Sequence, residues 1–310
     1  MIQIKLPSRY SKPESSAGGR YRVAGEVVAV DGFLPELVPF VSRDAAARRR
    51  APRPAAAGTA DGYTFFAGPG WIGNRYRGVV MHSVDGGWRV EIDDIGALVV
   101  APDSSVTWVE GPQGPEADRW VSEATLGPGL ILALALRGVF CLHASAVLAP
   151  DGGVVGFLGP SGAGKSTLAR LLDGAPGGWR RAADDVVPVR WADDNGEPAV
   201  LPRFPQLKLS SDRQPGAGLP ESASIAGLFL LSPGDAADVR CQPLSRTNAA
   251  LALVRHTVAA RLFSSELLER HLSFCTRLAQ RLDVMDLGYP RRGRVVPGLL
   301  EAIAPRWEVA

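Results

Sequence analysis

Lysine is nearly missing from this chain. It occurs four times, as Lys5, Lys12, Lys165 and Lys208, and arginine supplies the rest of the 34 basic residues. Any lysine placed in a chemical motif is therefore informative. Cysteine is scarce as well: Cys141, Cys241 and Cys275 make an odd count with no metal-type spacing. That excludes a disulfide framework and a zinc module, and reduced thiols in a cytoplasmic protein are expected. No apolar run is long enough to span a bilayer. The most apolar window, Leu130 to Cys141, is short and interrupted by Arg137. The start MIQIKLPSRY lacks the apolar stretch of a signal peptide, so neither membrane partner nor secretion is expected. Charge of one sign is lacking too, since the formal net charge is +2. Arg48-Arg49-Arg50 and Arg53 form a local basic run, but Ala and Pro surround it without aromatics. It reads as a solvated linker, and no nucleic-acid partner is expected.

What is present is a loop built for phosphate. Gly159-Pro160-Ser161-Gly162-Ala163-Gly164-Lys165-Ser166, followed by Thr167, matches G-x-x-x-x-G-K-[ST]. Glycines let successive backbone N–H groups converge on one anion. The lysine reaches the β- and γ-phosphates, and the serine hydroxyl can ligate Mg²⁺. A helix starting at the loop adds the positive end of its dipole. The flanks agree. Val154 to Leu158 reads as a buried strand, and Lys165 to Leu172 as a helix with Leu168, Leu171 and Leu172 on one face. The plainer alternative is a glycine-rich turn between strand and helix.

A length of 310 residues suits two domains, and 46% hydrophobic content supports a sizeable core. Residues 1–125 read as a β-rich module and 126–310 as an α/β domain. In the first, Arg22–Val30 is a strand candidate and Leu34–Val41 is ambiguous. Residues 43–60 form the Arg/Ala/Pro linker or mobile loop. Short runs at Arg77–His82, Trp88–Ile92, Ala97–Val100 and Ser105–Val109, separated by turn signals, predict a small, largely antiparallel sheet. In the second, a helix is expected over 127–138. Two strands, Val139–Leu148 and Val154–Leu158, are joined by Ala149-Pro-Asp-Gly-Gly153, a turn so short that they must pair antiparallel. Further strands are expected within Arg180–Trp191 and at Pro198–Leu201, Leu207–Leu209, Ile225–Leu231 and Val284–Leu287. Asp194-Asn195-Gly196 reads as a hairpin turn and Asp212–Ser224 as a surface loop. Helices are expected at Asn248–Leu262, Ser265–Leu282 and Val296–Ala304. There are no internal repeats.

Asp184-Asp185 lies where the chain should return from the loop helix. Transfer of a phosphoryl group to a hydroxyl needs one group to hold Mg²⁺ and another to accept the proton, and adjacent carboxylates can divide those tasks. The competing reading is a solvated pair, as Asp193-Asp194 reads. His143 sits on the strand antiparallel to the loop strand. It is either a hydrogen-bonded core residue or a group that orients a phosphate or carboxylate. Cationic helpers are expected for the transferring group, with Arg203, Lys208, Arg255, His256 and Arg261 as candidates.

His143-Ala-Ser-Ala, the loop and Ala183-Asp184-Asp185 together, in this order and spacing, resemble the HPr kinase/phosphorylase catalytic domain and its HPr-kinase-like relatives. The resemblance covers about Leu126 to Leu209 well and the helical tail loosely. It implies an α/β P-loop kinase domain of the HPr kinase/phosphoenolpyruvate carboxykinase type, with antiparallel strands beside the loop strand. It also implies ATP and Mg²⁺ as cofactors. By the same resemblance Asp184 is the base toward an acceptor serine, Asp185 and Ser166 are metal ligands, and His143 and Lys165 are active-site residues. Gly159, Ser161, Gly162, Ala163, Gly164, Lys165, Ser166 and Thr167 would hold the nucleotide. The segment Leu201-Pro-Arg-Phe-Pro-Gln-Leu-Lys-Leu209 replaces the glycine-containing signature of the HPr enzyme. The chain thus looks more like relatives found beside peptide-modifying systems, including kinases of lasso-peptide precursors. The expected activity is transfer to a serine of a peptide or small protein, the acceptor site being shaped by the β module and the 212–224 loop. A small-molecule kinase and a nucleotide-binding regulatory protein without transferase activity are the alternatives. A homo-oligomer is an analogy with the HPr enzyme.

Overall fold

The computed structural model describes residues 1–7, 9–10, 19–42, 63–72, 75–84, 87–192, 196–209, 218–234, 239–290 and 296–303. The 43–60 segment with its arginine run and Asp193-Asp194 lie outside these residues, as do residues 212–217 of the Asp212–Ser224 stretch; its last two residues, Ala223 and Ser224, are strand and not loop. The chain forms two compact units: Met1–Gly138 with Arg261–Leu267, and Val139–Ala260 with Leu268–Ala310.

The first unit is an eight-stranded sheet. Its strands are β1 (Ile2–Lys5), β2 (Arg20–Val23), β3 (Glu26–Val30), β4 (Thr64–Ile72), β5 (Arg75–Val84), β6 (Gly87–Ile92), β7 (Gly96–Val100) and β8 (Val106–Glu110), in the order β2-β3-β1-β8-β7-β6-β5-β4. Only β1 pairs in parallel, with β3 and β8. The single strand expected over Arg22–Val30 is instead a hairpin. Ala24 and Gly25 both take positive φ, 47° and 71°. That is the two-residue turn whose twist suits paired strands, so β2 folds back on β3. Leu34–Val41, ambiguous in sequence, contains a 3₁₀ helix over Pro35–Phe40 that buries Leu37 and Phe40. The helix expected at 127–138 begins earlier. It comprises α1 (Ala117–Ala124), a π-type turn with Pro128 over Thr125–Gly129, and α2 (Leu130–Leu136). All of it belongs to this first unit.

The second unit is built around β9 (Phe140–Leu148), β10 (Val154–Leu158), β11 (Arg180–Ala183), β12 (Val186–Trp191), β13 (Pro198–Val200), β14 (Ala223–Gly234), β15 (Arg240–Pro243) and β16 (Val284–Pro290). The five-residue connection makes β9 and β10 antiparallel, with Leu158 opposite Ala144. On its other edge β10 pairs in parallel with β14. The strand that enters the loop thus has one antiparallel neighbour and one parallel one. β14 pairs in parallel with β16, which pairs antiparallel with β15. β11 and β12 run antiparallel along β9, and β13 links β12 to the start of β14. The polar Arg180-Arg181 segment therefore lies beside β9 and not beside the loop strand.

The helices are α3 (Lys165–Leu172), α4 (Arg246–Arg255), α5 (Ser265–Arg281, whose first three residues count with the first unit) and α6 (Val296–Ile303). Helix α3 buries Lys165, Leu168, Ala169 and Leu172, the i, i+3, i+4, i+7 stripe, while Leu171 faces solvent. It packs with Phe157, Phe229 and Leu231 in one core cluster. Each such fully buried side chain stabilises the unit by about 1.5–3 kcal/mol. Ser245 caps α4 by accepting from the Asn248 amide at 3.2 Å. The helix ends at Arg255, short of the expected Leu262, because residues 256–258 leave it to pair with β9. The His143 amide donates to the His256 carbonyl at 2.6 Å, and the Val258 amide to the Cys141 carbonyl at 2.7 Å. Leu207–Leu209 is a turn and not a strand, closed by the Leu209 amide donating to the Gln206 carbonyl.

Candidate active site

Strand β9 organises the site. Since Ala144 opposes Leu158, His143 stands beside the start of the Gly159–Ser166 loop. On its other edge β9 meets β12, with Val186 opposite His143. The loop and Asp184-Asp185 therefore flank the same stretch of β9.

The loop is held open by its backbone. Gly159, Gly162 and Gly164 take φ of 151°, 80° and 94°. Gly164 tolerates no side chain, because a Cβ there would collide with the Tyr289 hydroxyl. That hydroxyl donates to the Ala163 carbonyl and pins the loop to β16. The Leu168 amide returns to Gly164, but among the described residues the amides of Lys165, Ser166 and Thr167 have no acceptor. They are the open donors of a helix N-terminus. The Lys165 ammonium is buried and donates to the Gly159 and Pro160 carbonyls at 2.8 and 3.1 Å. Burial lowers its pKa; Asp185 acts in the opposite direction, and Lys208 adds to the lowering. Ser161, Ser166 and Thr167 are exposed, Ala163 is buried, and Gly162 is open to solvent.

Asp184 and Asp185 are bent out of the ladder. In unbroken pairing Asp185 would oppose Ala144 and face away from His143. The Gln206 side chain prevents this. Its Oε1 accepts from the amides of Asp184, Asp185 and Val186 at 2.9, 3.1 and 3.3 Å. Its Nε2 donates to the carbonyls of Val186 and Phe204. A fully buried side-chain amide has replaced the strand partner. The bend lets the Asp185 carboxylate reach His143 Nε2 at 3.4 Å. Asp184, 9% exposed, turns inward to Arg181 Nη2 at 2.5 Å, with Ser145 Oγ at 3.3 Å from the same Oδ1.

Burial also lowers the pKa of His143, and the Lys165 charge adds to this, while Asp185 opposes it. His256 is pushed down to about 4 by burial first, then by Lys165 and His143. Its ring therefore lies within the same field, neutral at neutral pH. Lys208 is also here, its Nζ 2.7 Å from Asp185 Oδ1. Two of the chain's four lysines thus act on one carboxylate. The other cationic candidates divide. Arg255 contributes to the field on His256. Arg203 faces Glu221 at 3.5 Å. Arg261 belongs to the first unit, 5.5 Å above the Phe66 ring.

Sequence reasoning missed Gln206, Arg181, Ser145 and Tyr289. Gln206 carried no distinct signal, being one of three polar residues, with Arg203 and Lys208, in the Leu201–Leu209 segment. Ser145 lay within the His143-Ala-Ser-Ala motif but was given no role of its own; Arg181 is one of many arginines, and the Tyr289 partner is remote in sequence.

The donors present suit a hard cation that retains other ligands. A carboxylate and an exposed hydroxyl, Asp185 and Ser166, are the oxygen groups Mg²⁺ takes when phosphates complete its shell. Among the described residues no cluster of three or more His, Cys, Asp or Glu side chains forms a self-sufficient metal cage. The Lys208 ammonium on Asp185 marks a position that already attracts a cation.

No family model matches this chain, and no curated protein matches it. Among solved structures it is similar to the HPr(Ser) kinase/phosphatase from Coxiella burnetii, at 13% identity, covering 53% of this chain and 88% of that one, with a TM-score of 0.26.

Proposed function

We propose that the second unit is an ATP- and Mg²⁺-dependent phosphotransferase that acts on a serine hydroxyl of a peptide or small protein. The observation that carries this reading is the position of β9. It has the Gly159–Ser166 loop against one edge, Asp184-Asp185 against the other, and His143 between them. Open amides with Lys165 suit the anionic phosphates, and two carboxylates suit the metal and the proton. The sequence resemblance of these three motifs to HPr-kinase-like enzymes supports serine as acceptor.

In this reading the amides of Lys165, Ser166 and Thr167 bind a phosphate, and Lys165 turns from the loop carbonyls toward it. Asp185 and Ser166 would hold Mg²⁺, which would supply charge neutralisation when bound. His143 fixes the Asp185 carboxylate. Asp184 receives the acceptor proton once its pairing with Arg181 loosens. Gln206 keeps both carboxylates on the working side of β9.

Radiolabelled ATP offered with serine peptides, small proteins, free amino acids and polyols tests the reading. Transfer to a seryl peptide is expected. Transfer only to free serine or a polyol would replace the acceptor, and ATP binding without transfer to any acceptor would replace the enzyme by a nucleotide-binding regulator. Undiminished turnover by Asp184→Asn would remove the base assignment.

A further inference from the structure

Lys208 is not placed as an ordinary surface lysine. It follows by two residues the fully buried Gln206, whose side chain is anchored by five hydrogen bonds to Asp184, Asp185, Val186 and Phe204. The turn that closes from Leu209 back to Gln206 spans Lys208. The same short segment therefore orders the Asp184-Asp185 backbone and delivers an ammonium to the Asp185 carboxylate. Lys208 Nζ lies 2.7 Å from Asp185 Oδ1, the oxygen that also faces His143 Nε2 at 3.4 Å. The Lys208 side chain is 58% exposed, so water can take over its charge when it leaves.

A divalent cation on that oxygen and an ammonium at hydrogen-bond distance from it would stand within a few ångströms of each other. Their repulsion is not screened at that range. The two cations are alternatives. We propose that Lys208 is a resident counter-cation of Asp185 and that divalent metal enters the site by displacing it. This rests on the metal role of Asp185 proposed above. Its consequence is a metal affinity set below what Asp185 alone would give, so that the metal-free site carries no uncompensated carboxylate beside His143.

The test is Mn²⁺ binding to the full chain in the presence of ADP, read from the electron paramagnetic resonance signal of free Mn²⁺. Lys208→Met keeps the length and removes the charge. It is expected to bind Mn²⁺ roughly fivefold more tightly than the unsubstituted chain, the upper end for an exposed ion pair. Lys208→Arg, which keeps the charge, should stay within about twofold. Asp185→Asn should abolish the binding in every background. Equal affinity of Lys208→Met and the unsubstituted chain, with binding still dependent on Asp185, would overturn the Lys208 proposal and leave the metal reading standing. Mn²⁺ binding insensitive to Asp185→Asn would remove the metal reading and this proposal with it.

Discussion

Asp-Asp dipeptides occur in both compact units, and the two sites differ in everything except composition. Asp93-Asp94 lies in the first unit, in the turn between β6 and β7. Asp93 accepts the Gly78 amide at 3.0 Å, and Asp94 pairs with Arg75 at 3.0 Å, with both side chains more than half exposed. The pair lines a cavity of about 430 Å³, together with Arg89, Glu91 and Glu110. Asp184-Asp185 instead has an enclosed arginine, a histidine, two lysines and a buried amide clamp around it. The contrast teaches that the same dipeptide takes its electrostatic surroundings from burial and opposed charge, which its own two residues do not set. Solvent screens the turn pair, whereas the strand pair sits where electrostatic terms are strong.

The largest effect expected from this comparison is on transfer. Asp184→Asn should lower phosphoryl transfer by at least about a hundredfold while ATP binding persists, whereas Asp94→Asn should leave transfer unchanged. A radiolabel assay beside nucleotide titration reads both, and equal sensitivity of the two would erase the distinction. On stability, Arg181→Met strips the enclosed Asp184 of its cation and should cost about 3 kcal/mol. Arg75→Met, at the exposed pair, should cost no more than about 0.5 kcal/mol. Urea unfolding of each variant measures the difference.

Acid should distinguish the units as well. His271 is buried against Thr257 Oγ1 at 2.8 Å, and burial pushes its pKa from 6.5 down to about 4. The unfolded chain then binds the proton more readily, so this stabilisation is complete above about pH 6.5 and is lost as the pH falls toward 4. The loss amounts to on the order of 3 kcal/mol, and His256 acts in the same direction. In the first unit Glu91 is held below its ordinary 4.5, chiefly by its hydrogen bond from Arg89. Its contribution is present above that value and disappears only below it. Hydrogen exchange resolved by peptide at pH 7 and pH 5 should therefore show loosening in the second unit first. The smallest effect is local. Ser145→Ala removes one hydroxyl beside Asp184 and should cost about 1 kcal/mol, seen as a lowered unfolding midpoint.

Much of the second unit was legible in the chain. The Val154–Leu158 strand, the loop and α3 follow from local pattern. The β9–β10 hairpin follows from a connection too short for a crossover. Where reading failed, either a distant partner or a local turn had decided the outcome. The helix expected to reach Leu262 stops at Arg255 because Thr257 and its neighbours are taken up by β9. Leu171 matches the helical apolar count but falls on the solvent side of α3. The hairpin at Ala24-Gly25 was hidden among the valines and alanines on either side of it, since the turn depends on two backbone angles and not on hydrophobic period.

By itself the sequence determined the loop, the helix that follows it and the strand before it, because each depends on residues within a few positions of one another. It also named Lys165, His143 and Asp184-Asp185 as residues able to do chemistry. Tertiary structure alone decided that β11 and β12 would lie along β9, that Gln206 would turn Asp185 toward His143, and that Lys208 would face that carboxylate. Those partners lie more than twenty residues apart. Hydrogen bonds and charge pairs over such separations leave no period in the chain, and they form only when the sheet has set its strand order.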